Sequence, residues 1–385
     1  MEYLIPKDIK PLIEQAGNVG ISIYMPTYHS GKKVVQNPIR FKNLYHLAEK
    51  KLRSCGFDKE IVEDLIKPAR RLYETSVFWQ YQKNGLAVFI SQNVFLYFRL
   101  PVEVEEIAEV SRYFHLVPIF ELLNTDRGFY LLALSKKNLK LYEASHYSLV
   151  EIPVEGLPTN IDEVVPIDET SKSPQFRTIG PPRSGKRAAV YHGHAGGYEA
   201  EKERLAKYFH IIEGALHKFF ADKNLPLILA CDDSEFPSYR DINRYPHLIT
   251  DRWVSGNPDG YSPEELRDRA WKLLEPIFNA EMEKAKEIYG QLSHTERTSN
   301  KIEDILPNAF YGRISEIFIR KGAHIWGEYN HEEQTLVISE EQDLCCVDLL
   351  NLAAVQTYLH HGAVYVLPED LMPEKDSPVA AIYRY

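Results

Sequence analysis

The stretch that most limits the fold is the apolar run LPLILACD at residues 225–232. A run that is apolar at nearly every position is typical of a strand buried on both faces of a sheet. The segment before it predicts an amphipathic helix, because its apolar residues recur at spacings of three and four: Leu205, Tyr208, Phe209, Ile212, Ala215, Leu216 and Phe219. Helices and strands alternate again after residue 256, and that alternation predicts an α/β sandwich with a mostly parallel sheet.

The length predicts several domains, because 385 residues exceed one ordinary domain. We place an α+β domain at 1–122, a middle domain at 123–255 and an α/β domain at 256–385. In the first domain, GISIYMPTY alternates apolar and polar residues and predicts a strand, and two apolar segments around Gln92 and Asn93 predict a hairpin. In the last domain, Ser262 and Pro263 carry the signal of a helix start.

Composition narrows the class of protein. The net charge of −10 argues against a protein that coats nucleic acid nonspecifically, but it leaves room for one local basic surface. No apolar run reaches the length of a membrane span, and the N-terminal residues do not resemble a secretory signal. Four cysteines without a C-x-x-C pair suit a reducing compartment, so we expect a cytoplasmic protein that has no contact with membranes.

One long segment stands out by its charge. Between residues 170 and 198 there is no Asp or Glu, and the cations of the segment are Lys172, Arg177, Arg183, Lys186 and Arg187. It ends in YHGHAGGY, whose glycines permit close backbone approach, and a helix follows. Two interpretations stay open: a solvated surface excursion, or a flexible arm that enters an RNA-rich partner. GPPRSGKR within it lacks the hydroxyl residue and the flanking strand and helix of a phosphate-binding loop, so we reject a nucleotide site there.

Two sets of residues are candidates for other chemistry. His192 and His194 have an H-x-H spacing that suits a metal, with Cys231, Asp232 and Asp233 as further ligands, but two exposed histidines explain the spacing better. Asp232 and Asp233 suit paired carboxylates at a strand end, but turn formation and helix capping are the commoner roles. We therefore predict no metal and no cofactor.

The order of these segments resembles one known family. GISIYMPTY with NPIRFKNLYHLAEKKL, AGGYEAEKERLAKYFHIIEGALHKFF, and the C-terminal segments EDILPNAFYGRISEIFIRKGAHIWG and LLNLAAVQTYLHHGAVYVLPEDLMP are similar in type and order to the bacterial archaeo-eukaryotic release factors. These are relatives of the archaeal and eukaryotic peptide-chain release factors and of Pelota. The resemblance implies a ribonuclease-H-like middle domain with a Gly-Gly loop and a C-terminal α/β sandwich that docks other factors.

The same resemblance implies a function. It predicts a tRNA-shaped protein that binds the ribosome, through rRNA and tRNA, in peptide release or ribosome rescue, with a translational GTPase as a further partner. Gly196, Gly197 and Tyr198 correspond to the release loop, and the implied rRNA-binding residues are Arg183, Lys186, Arg187, His192 and His194. Tyr198 stands where the family has a catalytic Gln, and it lacks the amide group of that Gln, so hydrolysis of the peptidyl-tRNA ester stays open.

Two further classes remain as alternatives. One is a hydrolase of peptidyl-tRNA or RNA, in which Asp232, Asp233 and a histidine act, with a divalent metal as an option. The other is a scaffold that dimerises through its last domain. The sequence leaves the oligomeric state undetermined.

Overall fold

The computed structural model describes residues 6–14, 19–165, 195–293, 295–339 and 347–385. The chain forms two compact units: unit 1 consists of Met1–Arg127 with Phe278–Tyr385, and unit 2 of Gly128–Ile277. The mixed α/β class is confirmed. The beginning and the end of the chain share unit 1, and the predicted domain boundaries at residues 122 and 255 stay a prediction.

The N-terminal part of unit 1 is an antiparallel sheet with helices. Its elements are α1 (Pro6–Glu14), β1 (Gly20–Pro26), α2 (Gln36–Ser54), α3 (Lys59–Glu74), α4 (Ser76–Gln80), β2 (Gly85–Ser91), β3 (Phe95–Leu100), β4 (Ile107–Ser111) and α5 (Val117–Thr125). The strand order is β3-β2-β1-β4. The predicted strand at GISIYMPTY and the hairpin around Gln92 and Asn93 are both present.

Alternation along β1 sorts its side chains between two faces. Ile21, Ile23 and Met25 belong to the core cluster that includes buried residues of α2 and α3. Tyr24 alternates with them along the strand and is also buried, and its hydroxyl donates to the backbone oxygen of His115 at 2.5 Å. The side chain of Asn37 does not cap α2: it bonds to both backbone groups of Tyr28, at 3.0 and 2.8 Å.

Unit 2 is one sheet with helices. Its elements are β5 (Phe129–Leu134), β6 (Leu139–Ala144), β7 (Leu149–Ile152), α6 (Ile161–Val164), α7 (Ala195–Phe219), β8 (Leu227–Cys231), α8 (Phe236–Arg240), β9 (Val254–Ser255) and the first part of α9 (Pro263–Leu292), which continues into unit 1. The order is β7-β6-β5-β8-β9. Strands β5, β6 and β7 form an antiparallel meander, and β5, β8 and β9 are parallel. Every residue of β8 is buried, as the apolar run predicts.

The C-terminal part of unit 1 contains two sheets. Its elements are β10 (Thr298–Ser299), α10 (Ile302–Phe310), β11 (Ile314–Arg320), β12 (Trp326–Asn330), β13 (Thr335–Ser339), β14 (Val347–Asp348), α11 (Leu349–Leu359), β15 (Ala363–Leu367) and β16 (Val379–Tyr383). The orders are β10-β16-β11-β15 and β13-β12-β14. Among these described strands, only β11 and β15 pair in parallel, so the prediction of a mostly parallel sheet is wrong. The final strand runs back beside β11 in the opposite direction, which helix–strand alternation alone does not reveal.

Within the described ranges, no helix combines the length and the apolar character that crossing a bilayer requires.

Candidate functional site

Polar residues of unit 2 gather where its three parallel strands end. Ser135 follows β5, Asp232 and Glu235 follow β8, and Asp259 lies shortly after β9. The carboxyl ends of adjacent parallel strands meet at one side of a sheet, which is where α/β folds commonly place their sites. We call this set, Ser135, Asp232, Glu235 and Asp259, the carboxyl edge.

Asp259 ties the strand ends together. The hydroxyl of Ser135 donates to Asp259 Oδ2 at 2.8 Å, and the side-chain amide of Asn138 donates to Asp259 Oδ1 at 2.8 Å. The carboxylate therefore has a neutral donor on each oxygen. Its role in this geometry is to fix the loop after β9 against the turn between β5 and β6.

Glu235 is the most perturbed carboxyl of the carboxyl edge. Burial raises its pKa to about 7, the negative charge of Asp232 adds to the rise, and Lys136 opposes it. A carboxyl that titrates near neutral pH can exchange protons under cellular conditions. The residue is only 5% exposed, however, so a reactant has no direct access and we assign it no catalytic role.

Asp232 and Asp233 have local structural roles. The backbone oxygen of Asp232 accepts from the amides of Glu235 and Phe236, at 2.9 and 3.3 Å, and this turn starts α8. Asp233 Oδ1 accepts from the indole of Trp253 at 3.0 Å. In the described ranges no group of three or more His, Cys, Asp or Glu is arranged to hold a metal. The geometry thus favours the turn-forming interpretation over paired catalytic carboxylates.

The start of α7 is held near the carboxyl edge by ion pairs. Lys136 Nζ lies 2.9 Å from Glu201 Oε1. Arg204 pairs with Asp162, and its Nε donates to the backbone oxygen of Val165 at 2.8 Å. These contacts anchor the second and third turns of α7, directly after the predicted tip.

The predicted tip residues lie within the helix. Because α7 begins at Ala195, the backbone of Gly196, Gly197 and Tyr198 forms its first turn rather than a loop before it. The helix formers Glu199, Ala200 and Glu201 follow at once, and their propensity favours extending the helix toward the glycines. The other predicted contacts, Arg183, Lys186, Arg187, His192 and His194, lie outside the described residues.

A second candidate lies on the N-terminal part of unit 1. We define the basic face as Lys32, Lys33 and Arg40 with the rings of Tyr28 and Tyr81. Tyr28 is near its centre: Lys33 Nζ and the Arg40 guanidinium lie 5.3 and 5.2 Å from its ring centroid. The segment that follows Tyr81 lies beside Tyr28, because the hydroxyl of Thr27 donates to the backbone oxygen of Lys83 at 2.8 Å.

Large exposed side chains lie on the basic face and next to it in the sequence. Tyr81 is 69% exposed at the end of α4, and Val35 is 69% exposed in the short 3-10 helix before α2. One acid lies beside the face: Glu106 Oε1 is 3.7 Å from Arg40. Cations beside an exposed aromatic ring are an arrangement that binds phosphates and unpaired bases.

Sequence reasoning missed the basic face, although the sequence carries its signal. The protein has 55 Asp and Glu in 385 residues, yet the segments 15–48 and 75–102 contain none. The ladder between β1 and β2 brings the two segments together. A search for clusters of cations does not find this surface, because it has few of them, whereas the absence of acids from both segments is visible at once.

Residues 129–276, nearly all of unit 2, match the bacterial archaeo-eukaryotic release factor family 7. The protein is therefore a relative of the archaeo-eukaryotic release factors, which confirms the resemblance seen in the sequence. The matched span covers less than half of the chain and includes Gly196, Gly197 and Tyr198.

Solved structures of similar chains come from translation factors. The archaeal translation termination factor aRF1 is 12% identical, with 98% of this chain and 96% of that chain covered and a TM-score of 0.23. Pelota from Archaeoglobus fulgidus is 12% identical over 79% of this chain and 76% of its own, with a TM-score of 0.27. Dom34 of S. cerevisiae, a translation termination-like factor, is 11% identical over 76% and 73%, with a TM-score of 0.30. TM-scores this low describe a distant likeness and add nothing to the family match. No curated protein matches the sequence.

Proposed function

We propose that this protein is a ribosome-associated factor of the release or rescue type. The observation that carries the proposal is the match of residues 129–276 to a release factor family. On this proposal the protein works in the cytoplasm and binds the ribosome in the manner of a tRNA. A translational GTPase is among the partners we propose.

The basic face supports contact with RNA. In a protein of net charge −10, a surface that combines Lys32, Lys33 and Arg40 with no acid in the surrounding sequence segments suits phosphate binding. The exposed ring of Tyr81 gives an unpaired base a surface on which to stack. The carboxyl edge is acidic by contrast, so unit 2 does not offer phosphate a second such surface there.

Unit 2 would present the start of α7 to the ribosome. Its strand order, an antiparallel meander continued by two parallel strands, supports the ribonuclease-H-like assignment. Gly196 and Gly197 lie in the first turn of the helix, and glycine lets a neighbour approach the backbone closely. Tyr198 would stack on a base or on the CCA end of a tRNA.

The residues at this position favour binding without ester hydrolysis. The resemblance implies a Gln that positions water at the peptidyl-tRNA ester, and Tyr198 has neither an amide donor nor an amide carbonyl in its side chain. A stalled ribosome carrying labelled peptidyl-tRNA should therefore keep its peptide when the protein is added. Release of free peptide at a rate set by protein concentration would show that hydrolysis survives without the Gln.

The hydrolase alternative gains no observation in its favour. The backbone oxygen of Asp232 forms a turn, the carboxylate of Asp233 bonds to Trp253, and Glu235 is buried.

Sedimentation with purified ribosomes tests the proposal. The full-length protein should pellet with ribosomes at low salt and less at high salt, because phosphate contacts release counterions. Lys32→Glu/Lys33→Glu should abolish pelleting or reduce it by about tenfold, because it removes two cations that contact phosphate in this proposal. Any binding that remains should depend less on salt. The matched control is Lys272→Glu/Lys284→Glu, which makes the same charge change on exposed positions of α9.

The outcomes separate the parts of the proposal. Absence of pelleting at any salt contradicts ribosome association altogether. Equal loss in both double variants shows a general charge effect and contradicts the assignment of the basic face.

A further inference from the structure

The hairpin of β12 and β13 has a charge opposite to that of the basic face. Residues 322–374 contain no Lys or Arg and ten Asp and Glu. Three of these acids, Glu328, Glu332 and Glu333, are exposed on the hairpin. Among the described residues no Lys or Arg forms an ion pair with any of the three. We call residues 326–339 the acidic hairpin.

The outer strand of the acidic hairpin is exposed and apolar. The order β13-β12-β14 places β13 at the edge of its sheet. Val337 is 61% exposed and Ile338 is 47% exposed, and as neighbours they point to opposite faces. Soluble proteins usually protect such an edge with a charge or a proline on the strand, and Thr335–Ser339 carries neither.

The acidic hairpin is held firmly in unit 1. β14 pairs with β12, and the backbone amide of Leu349 donates to Ile325 at 2.8 Å. At the turn, the ring of His331 stacks on Phe310 of α10, with centroids 4.6 Å apart and planes at 19°. A strand edge fixed in this way needs little ordering to accept another strand.

A cavity of about 710 Å³ lies against one face of the acidic hairpin. Its lining includes Glu328, Glu332, Glu333 and Val337 from the hairpin, with Phe310 and one cation, Arg112. Carboxylates outnumber cations, and the ring of Phe310 adds a surface that attracts cations. The cavity thus suits long cationic side chains.

We propose that β13 binds an extended basic polypeptide of a partner as an additional strand. Main-chain bonding along the edge supplies affinity, as in other cases of strand addition. RNA does not fit, because the exposed carboxylates repel phosphate. A second copy does not fit either, because two acidic hairpins placed side by side repel each other.

The register of the hairpin defines the sequence pattern of the partner. Glu328 lies opposite Val337, and Asn330 opposite Thr335, so this face of the ladder turns toward the cavity. Leu336 and Ile338 point to the other face. The partner strand therefore alternates Lys or Arg on the cavity side with aliphatic residues beside Leu336 and Ile338.

Fluorescence anisotropy with a labelled peptide of alternating lysine and valine tests this proposal on the full-length protein. The peptide should bind, and binding should weaken as salt is raised. A peptide of alternating glutamate and valine should not bind, and neither should the lysine–valine peptide with a central proline, which cannot complete the ladder.

Variants locate the site. Val337→Lys places a cation on the edge and should weaken binding by about tenfold or more, which corresponds to about 1.4 kcal/mol. Glu332→Gln/Glu333→Gln should weaken binding less and reduce its salt dependence. The matched control is Val150→Lys on β7, the edge strand of unit 2, where the valine is 37% exposed. It should leave binding unchanged.

Hydrogen exchange measures strand addition itself, and the bound peptide should slow amide exchange at residues 336–338. Absence of binding by the basic peptide overturns the proposal, as does binding that Val337→Lys leaves intact. Slowed exchange elsewhere, without change in β13, overturns it as well. Self-association that Val337→Lys abolishes would identify a second copy as the occupant and also overturns it.

Discussion

His324 Nδ1 lies 2.9 Å from Asp348 Oδ2, and this hydrogen bond joins the exposed histidine to a cluster of buried ionisable groups in unit 1. Asp348 also caps α11 by accepting from the amide of Leu350 at 3.1 Å. His115 Nδ1 is 3.6 Å from Glu109 and 3.9 Å from Asp348. The cluster joins β4 and the segment before α5 to the start of α11, so it connects the two ends of the chain.

The first prediction concerns pH. The hydrogen bond to Asp348 raises the pKa of His324 above its usual 6.5, although burial opposes the rise. The stability from this histidine is therefore fully present below the unfolded pKa and is lost as pH rises through the higher folded pKa. We expect the free energy of unfolding of unit 1 to fall as pH rises above about 6.5, by under about 1 kcal/mol because the side chain is 36% exposed.

The variant His324→Gln separates the pH dependence that His324 causes from the pH dependence that Glu109 causes. Burial also raises the pKa of Glu109, which favours the neutral acid and makes stability fall as pH rises from its unfolded pKa near 4.5. In the variant, the free energy of unfolding should change less with pH above about pH 6.5. Its change with pH at lower pH should stay as in the original protein. Urea unfolding followed by tryptophan fluorescence measures both, and an unchanged slope in the variant would contradict the assignment.

The second prediction concerns Asn351, which links α11 to the segment before α5. Its Oδ1 accepts from the amide of Leu116 at 2.7 Å, and its Nδ2 donates to the oxygen of Phe114 at 2.9 Å. Asn351→Ala leaves both buried backbone groups without these partners and should cost about 2–4 kcal/mol. Urea unfolding measures the loss, with Gln356→Ala in the same helix as the control. A loss equal to that of the control would show that the link contributes nothing.

The third prediction concerns Glu235 in unit 2. Its pKa is raised to about 7, so stability is lost as pH rises from about 4.5 through about 7. Glu235→Gln keeps the shape without the charge and should stabilise unit 2 at pH 8 by about 1–3 kcal/mol, with no gain near pH 4.5. Glu264→Gln, at an exposed position of α9, is the control. Destabilisation of the Gln variant at pH 8 would mean that the ionised carboxylate has a partner that stabilises it.

The fourth prediction separates function from helix stability at the start of α7. Gly196→Ala/Gly197→Ala should slow amide exchange in the first turns, because alanine favours a helix over glycine by up to about 1 kcal/mol per residue. The same variant should lose ribosome binding. Gly214→Ala lies in the same helix, where an added Cβ meets nothing within 4 Å, and should gain helix stability without losing binding. Equal binding by both variants would remove the tip from the proposal.

Local signals in the sequence predicted individual elements well. The start of α9 follows from Ser262 and Pro263, and the structure adds the reciprocal bonds of a capping box between Ser262 and Glu265 at 2.9 and 3.2 Å. The buried strand β8 follows from its apolar run. In each case the residues that form the feature are neighbours in the chain, so their pattern is sufficient.

Features that join distant residues did not follow from the sequence. Asn351 bonds to residues more than 230 positions away, and the pairing of β16 with β11 makes the last sheet mixed. The basic face depends on β1 and β2 lying side by side. Partners of this kind are chosen by the tertiary fold, and no periodicity in one segment identifies them.

The central claim is that the basic face meets ribosomal RNA. A photo-crosslinking amino acid at position 81, where the side chain is 69% exposed, tests it most directly in the full-length protein mixed with purified ribosomes. The same group at position 337 on the acidic hairpin is the control. We predict an rRNA adduct from position 81 and none from position 337. Failure of position 81 to form any RNA adduct under conditions where the protein pellets with ribosomes would contradict the claim.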